Sequence, residues 1–436
     1  MKRNLVVQTD SYKCSHYLQF PEGAEKTHYY IESRGGADRL MFFGLQAVIK
    51  KILMDVPTAD DVEQAAAFWK AHGLPFNYDG WMDIVKLGYF PLKIKAVKEG
   101  AVTATKKVLV AVENTDNRFP WLPGWIETRL LQIWYPVTVS SKIYECKQVI
   151  KRYLEKTGDM AGLPFKLHSF GYRGVSSEES AGMGGMAELV NFMGTDTVAG
   201  ILDAQEYYNT NAMLGFSIPA AEHSTITSWG RDGEVDAYRN MLNKFAKPGA
   251  LVAVVSDSYN LENAVAEIWG KELKQQVVDS GAIIVVRPDS GEPSEIVLRT
   301  VVQLDKDYGS VMNEKGYKVL NNVRVIQGDG LNGPEDFEKI LKVLTGAGFS
   351  ADNLAFGMGG GSLQQVNRDT LKFAMKLSAI KVNGEWRDAF KCPADAPWKA
   401  SKAGRFNDDP DLIDVWGDGK FIKEYTFEEV RENANK

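Results

Sequence analysis

Ala282-Ile-Ile-Val-Val-Arg-Pro-Asp-Ser-Gly-Glu-Pro293 reads as a strand that stops abruptly in a polar turn. Its five leading residues are apolar and mostly β-branched, and Pro288 and Gly291 close the run. A short apolar run with such flanks fits a strand buried on both faces, as in a parallel sheet. Arg287, Asp289 and Ser290 then fall just past the strand's carboxyl end, the edge where α/β sheets place their ligands. A cation and a carboxylate so close together there suit a ligand carrying both phosphates and hydroxyls. On this stretch alone, an ordinary βα turn with Pro and Asp capping the next helix fits equally well.

Three further stretches repeat the pattern: Leu251-Val-Ala-Val-Val-Ser-Asp257, Val323-Arg-Val-Ile-Gln-Gly-Asp329 and Leu354-Ala-Phe-Gly-Met-Gly-Gly-Gly361. The markers Asp257, Asp289, Asp329 and Gly359 are 32, 40 and 30 residues apart, the length of a βα unit. Amphipathic helices are expected over 261–278, 293–307 and 334–344. In a right-handed parallel array all four polar clusters land on one rim. Singly, each Asp is equally an N-cap. Three at successive strand ends beside Gly359-Gly360-Gly361 point instead to a shared site.

The chain has 436 residues, enough for two domains or one large α/β domain with additions. With 44% apolar and 25% charged residues it has the composition of a globular protein, and its net charge of −6 argues against a general nucleic-acid surface. Cys14, Cys146 and Cys392 lie far apart, which fits a reducing compartment and neither a disulfide framework nor a zinc site. No stretch approaches the ~18 apolar residues of a membrane span. The start turns polar too soon for a signal peptide. A cytoplasmic protein, binding neither membrane nor nucleic acid, is expected.

Elsewhere, Leu5-Val6-Val7, 27–34 and 424–427 are strand-like, and 60–72 has helical spacing. An antiparallel hairpin with one solvated face is expected over 91–115. Two helices broken near Pro136 fill 123–156. Phe165 to Phe170 is strand-like, and Ser176 and Glu179 have capping-box spacing for a helix through Phe192. Lysines gather in the last 60 residues, the usual sign of a solvated surface. The β flavour at both ends and the βα rhythm between them predict an α/β fold: an irregular barrel at 161–371 and a β-rich domain from 1–160 plus 372–436.

Backbone N–H groups of a glycine run at a strand end can cradle phosphate, although such a run is equally a flexible turn. Asp289 and Asp329 suit the two hydroxyls of a ribose, and any of the three carboxylates could share magnesium with phosphate oxygens. His223, in Pro219-Ala-Ala-Glu-His-Ser-Thr225, is a proton carrier or nucleophile in one reading and a hydrogen-bonded core residue in the other. Phe170 and Tyr172 offer a stacking ring or simply fill the barrel end.

Eight blocks, in order along the chain, resemble the nicotinamide phosphoribosyltransferases of the type II phosphoribosyltransferase family. They are Thr9-Asp-Ser-Tyr-Lys13, Phe170-Gly-Tyr-Arg-Gly-Val-Ser-Ser177, Gly194-Thr-Asp-Thr-Val-Ala-Gly200, Pro219 to Thr225, Val255-Ser-Asp-Ser-Tyr259, Arg287-Pro-Asp-Ser-Gly291, Gln327-Gly-Asp-Gly330 and Gly357 to Gly361. The resemblance implies an α/β barrel plus a β-rich domain, working as a homodimer with active sites at the subunit interface. It implies joining of nicotinamide to 5-phosphoribosyl 1-pyrophosphate, with ATP as co-substrate and magnesium. Phe170, Tyr12 of a second copy, Asp196, Arg287 and Ser217 would hold nicotinamide. Asp289, Gly328 and Asp329 would hold the ribose, and Gly359 and Gly360 its phosphate. Asp10, Arg34, Arg173, Arg368, Lys376, Lys391 and Lys399 would line the phosphate region. His223 would be phosphorylated from ATP and act with Asp289 and Asp329 in catalysis, while Asp257 and Asp289 would hold the metal. The nearest rival, a nicotinate enzyme of the same fold, is set apart by Asp196, which attracts a carboxamide and repels a carboxylate.

Overall fold

The computed structural model describes residues 3–395 and 400–436, so Lys399 lies outside the described residues. The chain forms two compact units, one of residues 1–141, 204–211 and 367–436, the other of 142–203 and 212–366. The expected boundary near 160 thus falls at 141/142, inside the helix Trp134–Thr157, where no turn residue marks it.

In the first unit both chain ends meet in one seven-stranded antiparallel sheet. Ala24–Ser33 pairs on one side with Phe373–Val382 and on the other with Val108–Asn114. Leu92–Ala96 joins Val108–Asn114 as the expected hairpin. Val108–Asn114 has no solvated face, however: every residue is buried, because the strand lies mid-sheet with the helix Leu122–Trp125 against it. Leu5-Val6-Val7 is a turn rather than a strand. Asn4 O accepts from the amides of Val7 and Gln8, and the Leu5 and Val6 carbonyls take the indole N–H groups of Trp125 and Trp69. Residues 424–427 lead into the helix Phe427–Ala434, started by a Thr426/Glu429 capping box that overrides their β propensity. The break expected near Pro136 is the 3-10 turn Leu131–Ile133, and Pro136 sits in the next helix's first turn, where its missing N–H costs nothing.

The second unit is a curled parallel sheet. Its strands are β1 (Leu167–Ser169), β2 (Gly194–Thr195), β3 (Leu251–Val255), β4 (Ile283–Arg287), β5 (Val323–Gln327) and β6 (Leu354–Met358). They run β2-β1-β6-β5-β4-β3, every pair parallel. The segment 216–220 spans the remaining gap, with one bridge from Phe216 to Gly194 and another from Ala220 to Ala253. Inside, Ala253, Val285 and Ile326 pack with Phe170, Ile218 and Ala355, while Val254, Ile284, Val286 and Val325 are buried on the other face. Burial on both faces explains the continuous apolar runs.

The helices follow as expected after β4 and β5: Pro293–Tyr308 and Pro334–Gly346. The one after β3 differs, since Leu261–Asn263 runs into a π-helical stretch, Ala264–Glu272, before Lys274–Ser280. Helix α1 (Glu178–Leu189) is capped by Ser177, one residue later than the sequence predicts.

Glu188 of α1 is buried behind the sheet near the hydroxyls of Ser169 and Ser362, and its Oε2 has no hydrogen-bond partner among the described residues. Burial raises its pKa from 4.5 to about 7, against the opposing pull of those two hydroxyls. The unfolded chain therefore binds fewer protons here than the folded one, and stability drops as pH rises from about 4.5 to about 7. Glu188→Gln should remove a pH-dependent loss of up to roughly 3 kcal/mol. Urea midpoints measured across that range check this; equal slopes for wild type and variant would refute it.

Candidate active site

Because the strands are parallel, their carboxyl ends bring Asp196, Phe170, Gly359, Asp329, Asp289 and Asp257 to one rim, in that order. A cavity of about 700 Å³ opens there and takes in Phe170, Arg173, Asp196, His223, Arg287, Asp289 and Gly328. Its size suits a drug-sized or nucleotide-sized ligand.

At one end Phe170 leaves β1 with its amide bonded to Met358 O. Its ring lies so close over Gly357 that a Cβ there would come within 1.9 Å of the ring. Asp196 follows β2. Its Oδ1 accepts from Ser217 Oγ at 2.5 Å and lies 3.2 Å from His168 Nε2. Burial pushes the Asp196 pKa up, but His168, Ser217 and the charge of Arg287 outweigh it and hold the group below the usual carboxylate range. Asp196 is thus an ionised acceptor at the cavity wall. His168 was not singled out from sequence, although strand alternation places it on the inward face with Phe170. Its ring centroid is 5.0 Å from that of Phe170.

Arg287 and Asp289 stand at the centre, Nη2 to Oδ2 3.5 Å. Arg287 is mostly buried, and its Nε has no acceptor among the described residues. Arg287 also lines the cavity, so its guanidinium stands beside the space that a ligand's acceptor would fill. Asp257 is committed within the protein: Oδ1 engages His223 Nε2 at 3.0 Å, and Oδ2 accepts from the Asp289 amide at 3.0 Å and Ser290 Oγ at 2.7 Å. Such a carboxylate orients the imidazole and leaves Nδ1 facing the cavity, 3.9 Å from Asp289 Oδ2. Glu222, also missed from sequence, precedes His223 and pairs with Arg173 at 3.1 Å.

The glycine turn packs against the segment after Phe170, with Gly360 Cα 3.6 Å from where a Cβ on Gly174 would lie. The Gly359 carbonyl is taken by the amide and hydroxyl of Ser362, that of Gly360 by the amides of Gln364 and Gln365, and that of Gly361 by Lys142 Nζ. With the carbonyls held away, the amides of Gly360 and Gly361 at the start of the short helix have no partner within it. Gly328 and Asp329 lie between this turn and Asp289, with the Asp329 side chain exposed and its carbonyl held by Gln327 Nε2.

Tyr12, Asp10, Arg34, Arg368, Lys376 and Lys391 belong to the first unit. There Arg34, Arg368 and Lys376 line a pocket of about 250 Å³ together with Glu127. The Lys376 pKa is lowered, first by burial and then by the charges of Arg34, Lys391 and Lys13, with Glu127 opposing. Three cations around one small pocket, with a single carboxylate among them, favour an anion there. Asp10 accepts from Thr128 Oγ1 at 2.7 Å, and Tyr12 is 60% exposed. Among the described residues no group of three or more His, Cys, Asp or Glu side chains is arranged to hold a metal.

A curled parallel barrel with this rim, accompanied by an antiparallel domain from both chain ends, defines a type II phosphoribosyltransferase. The fold is shared with nicotinate-nucleotide pyrophosphorylase from Pyrococcus furiosus (TM-score 0.61, 16% identity, 100% of this chain and 97% of that one). It is shared too with human nicotinic acid phosphoribosyltransferase (TM-score 0.60, 14% identity, 98% and 93%). Residues 165–417 match the nicotinate phosphoribosyltransferase (NAPRTase) family model, and residues 4–94 match that of the nicotinamide phosphoribosyltransferase N-terminal domain. The chain is 49% identical to the nicotinamide phosphoribosyltransferase of Xanthomonas campestris pv. campestris (strain 8004), over 99% of this chain and 98% of the relative. It is 31% identical to that of Acinetobacter baylyi, over 91% and 86%. The chain therefore belongs to the nicotinate phosphoribosyltransferase family.

Two glycines of the rim should respond oppositely to alanine. Gly357→Ala must displace the Phe170 ring, at a cost of about 2 kcal/mol, whereas a Cβ on Gly360 meets nothing within 4 Å. Denaturant unfolding should place Gly360→Ala within about 1 kcal/mol of wild type; equal losses would mean that the ring is not fixed by Gly357.

Proposed function

We propose that the protein transfers the 5-phosphoribosyl group of 5-phosphoribosyl 1-pyrophosphate to nicotinamide, giving nicotinamide mononucleotide and pyrophosphate, a salvage step toward NAD. The observation that carries the choice of base is Asp196. Held ionised by His168 and Ser217, it accepts a carboxamide N–H and repels a carboxylate. Phe170 stacks on the pyridine ring, and Arg287, which lines the cavity, faces the ligand where base and ribose join. The relatives named nicotinamide phosphoribosyltransferase, similar along almost the whole chain, support the same reading.

The C1–oxygen bond to pyrophosphate breaks as the pyridine nitrogen bonds to C1, leaving the sugar briefly cationic and the leaving group anionic. Neutral nicotinamide is a weak nucleophile, so much of the acceleration comes from holding its nitrogen in line with C1. Asp289 and Asp329 accept the ribose hydroxyls, and the amides of Gly359 and Gly360 receive the 5-phosphate. Magnesium, bound with the substrate, supplies charge that stabilises the departing pyrophosphate. That ion usually takes one or two carboxylates beside phosphate oxygens and water. Asp289, whose Oδ1 has no protein donor among the described residues, suits it, whereas Asp257 is occupied by His223, Ser290 and the Asp289 amide.

ATP enters as co-substrate. With Nε2 held by Asp257, Nδ1 of His223 is the nitrogen that attacks the γ-phosphorus and releases ADP. Hydrolysis of the phosphohistidine later returns phosphate. In a homodimer, Tyr12 of a second copy covers the other face of the pyridine ring, and Asp10, Arg34, Arg368, Lys376 and Lys391 of that copy bring the first unit's anion pocket to the phosphates. The cytoplasm, where these substrates occur, is the expected compartment.

Product formation from the two substrates with magnesium should fall by at least ~100-fold in Asp289→Ala. Asp196→Asn should lose its preference for nicotinamide over nicotinate by about tenfold or more; equal use of both bases by the wild type would sink the substrate assignment. Incubation with γ-labelled ATP should leave acid-labile label on the wild type and none on His223→Ala. Label persisting in the variant would remove His223 from the ATP step.

A further inference from the structure

The mechanism above uses the amides of the glycine turn and leaves Lys142 without a role. Its ammonium lies behind that turn, Nζ to Gly361 O 2.6 Å. Burial is the largest influence on it and lowers its pKa; the carboxylates Glu335 and Asp336 oppose this only from a distance, and no ion pair to Lys142 occurs among the described residues. A half-buried cation that meets a carbonyl instead of a carboxylate carries a desolvation cost that its own contacts do not offset. An anion on the far side of the turn would offset it.

The geometry around Gly361 makes the connection specific. A Cβ on Gly361 would lie 2.2 Å from Leu331 O and 3.1 Å from Asn332 Cα, so its peptide is wedged against the loop that follows Asp329. That loop is fixed in turn by Asp336, which accepts from the amides of Asn332 and Gly333. Of the three glycine carbonyls, those of Gly359 and Gly360 are held by neighbours only a few residues away, and Gly361 alone depends on a distant side chain. The N–H of that same peptide belongs to Ser362 and closes the turn onto Gly359 O, so Lys142 braces the peptide that ties the turn together.

We propose that Lys142 is a positioning residue of the phosphate subsite. By holding the Gly361 carbonyl, it braces the peptide whose N–H closes the turn onto Gly359 O and so fixes the conformation of the glycine turn, and its charge behind that turn biases the cradle toward a doubly charged phosphate monoester. The inference rests on the reading of Gly359–Gly361 as the 5-phosphate cradle, and the test separates the two.

The probe is ribose 5-phosphate, whose dissociation constant is measured by calorimetry for the wild type, Lys142→Met, Lys142→Gln and Gly360→Ala. Steady-state KM and kcat in the full reaction are measured for the first three. Lys142→Met should weaken ribose 5-phosphate by about tenfold or more and raise the KM for 5-phosphoribosyl 1-pyrophosphate in parallel, with kcat and the KM for nicotinamide within about threefold of wild type. Lys142→Gln, which keeps a donor for Gly361 O without the charge, should fall between the two. A loss in Gly360→Ala with none in Lys142→Met overturns the role of Lys142 and leaves the cradle standing. No loss in either variant overturns the cradle reading and the inference with it. A drop in kcat and both KM values changing together in Lys142→Met would mark a general structural defect and also overturn the proposal.

Discussion

One carboxylate, Asp257, ties the two halves of the rim together. It leaves β3 and reaches sideways to the end of β4, where it takes the amide of Asp289 and the hydroxyl of Ser290, while its other oxygen fixes the imidazole of His223. Charge-assisted bonds of this kind are the strong members of a hydrogen-bond network. They set where the Asp289 side chain can point and which nitrogen of His223 is exposed. A residue at a strand end is thus bonded to a neighbour 34 residues earlier in the chain, a contact that sequence spacing does not show.

Four strands of the barrel were legible because each is a short apolar run that stops at a charged or glycine-rich break, and three of them are rich in β-branched residues; Gly194–Thr195, two residues long, has no such run. The rim followed from the same pattern, since parallel strands leave no freedom about which end their breaks occupy. What escaped was local competition. Thr426 and Glu429 form a capping box in a stretch whose aromatic residues favour a strand, and the carbonyls of Leu5 and Val6 are claimed by two distant indoles. His168 escaped for a different reason. A single histidine in a three-residue strand has no periodicity of its own, and its meaning appears only when Asp196, from the neighbouring strand, lies 3.2 Å away. Glu222, which the sequence did not single out, is the counter-ion of Arg173, 49 residues earlier in the chain.

The glycines of the rim divide into two kinds. Gly357 is needed for what lies inside the protein, because the Phe170 ring occupies the space of its Cβ. Gly360 has empty space beside it, so its lack of a side chain matters only to something that comes from outside. Sequence alone presents Gly357, Gly359, Gly360 and Gly361 as one motif. The structure separates the glycine that seats the Phe170 ring from Gly360, which has open space beside it, and it shows Gly361 wedged between Lys142 and the loop after Asp329.

The barrel is closed by a stave of a different character from the other six. Residues 216–220 join the sheet through two single bridges, with none of the continuous ladder that binds the β-strands to one another. Local stability follows the density of such bonds, so this stave belongs to the first part of the barrel to open in native fluctuations. Yet it carries Ser217, which steadies Asp196, and it leads within three residues to His223. The stave that steadies Asp196 and the turn that carries His223 are thus one continuous, loosely fastened strip of chain. A small shift of that strip reaches the surroundings of both side chains together, although among the described residues no hydrogen bond joins the two.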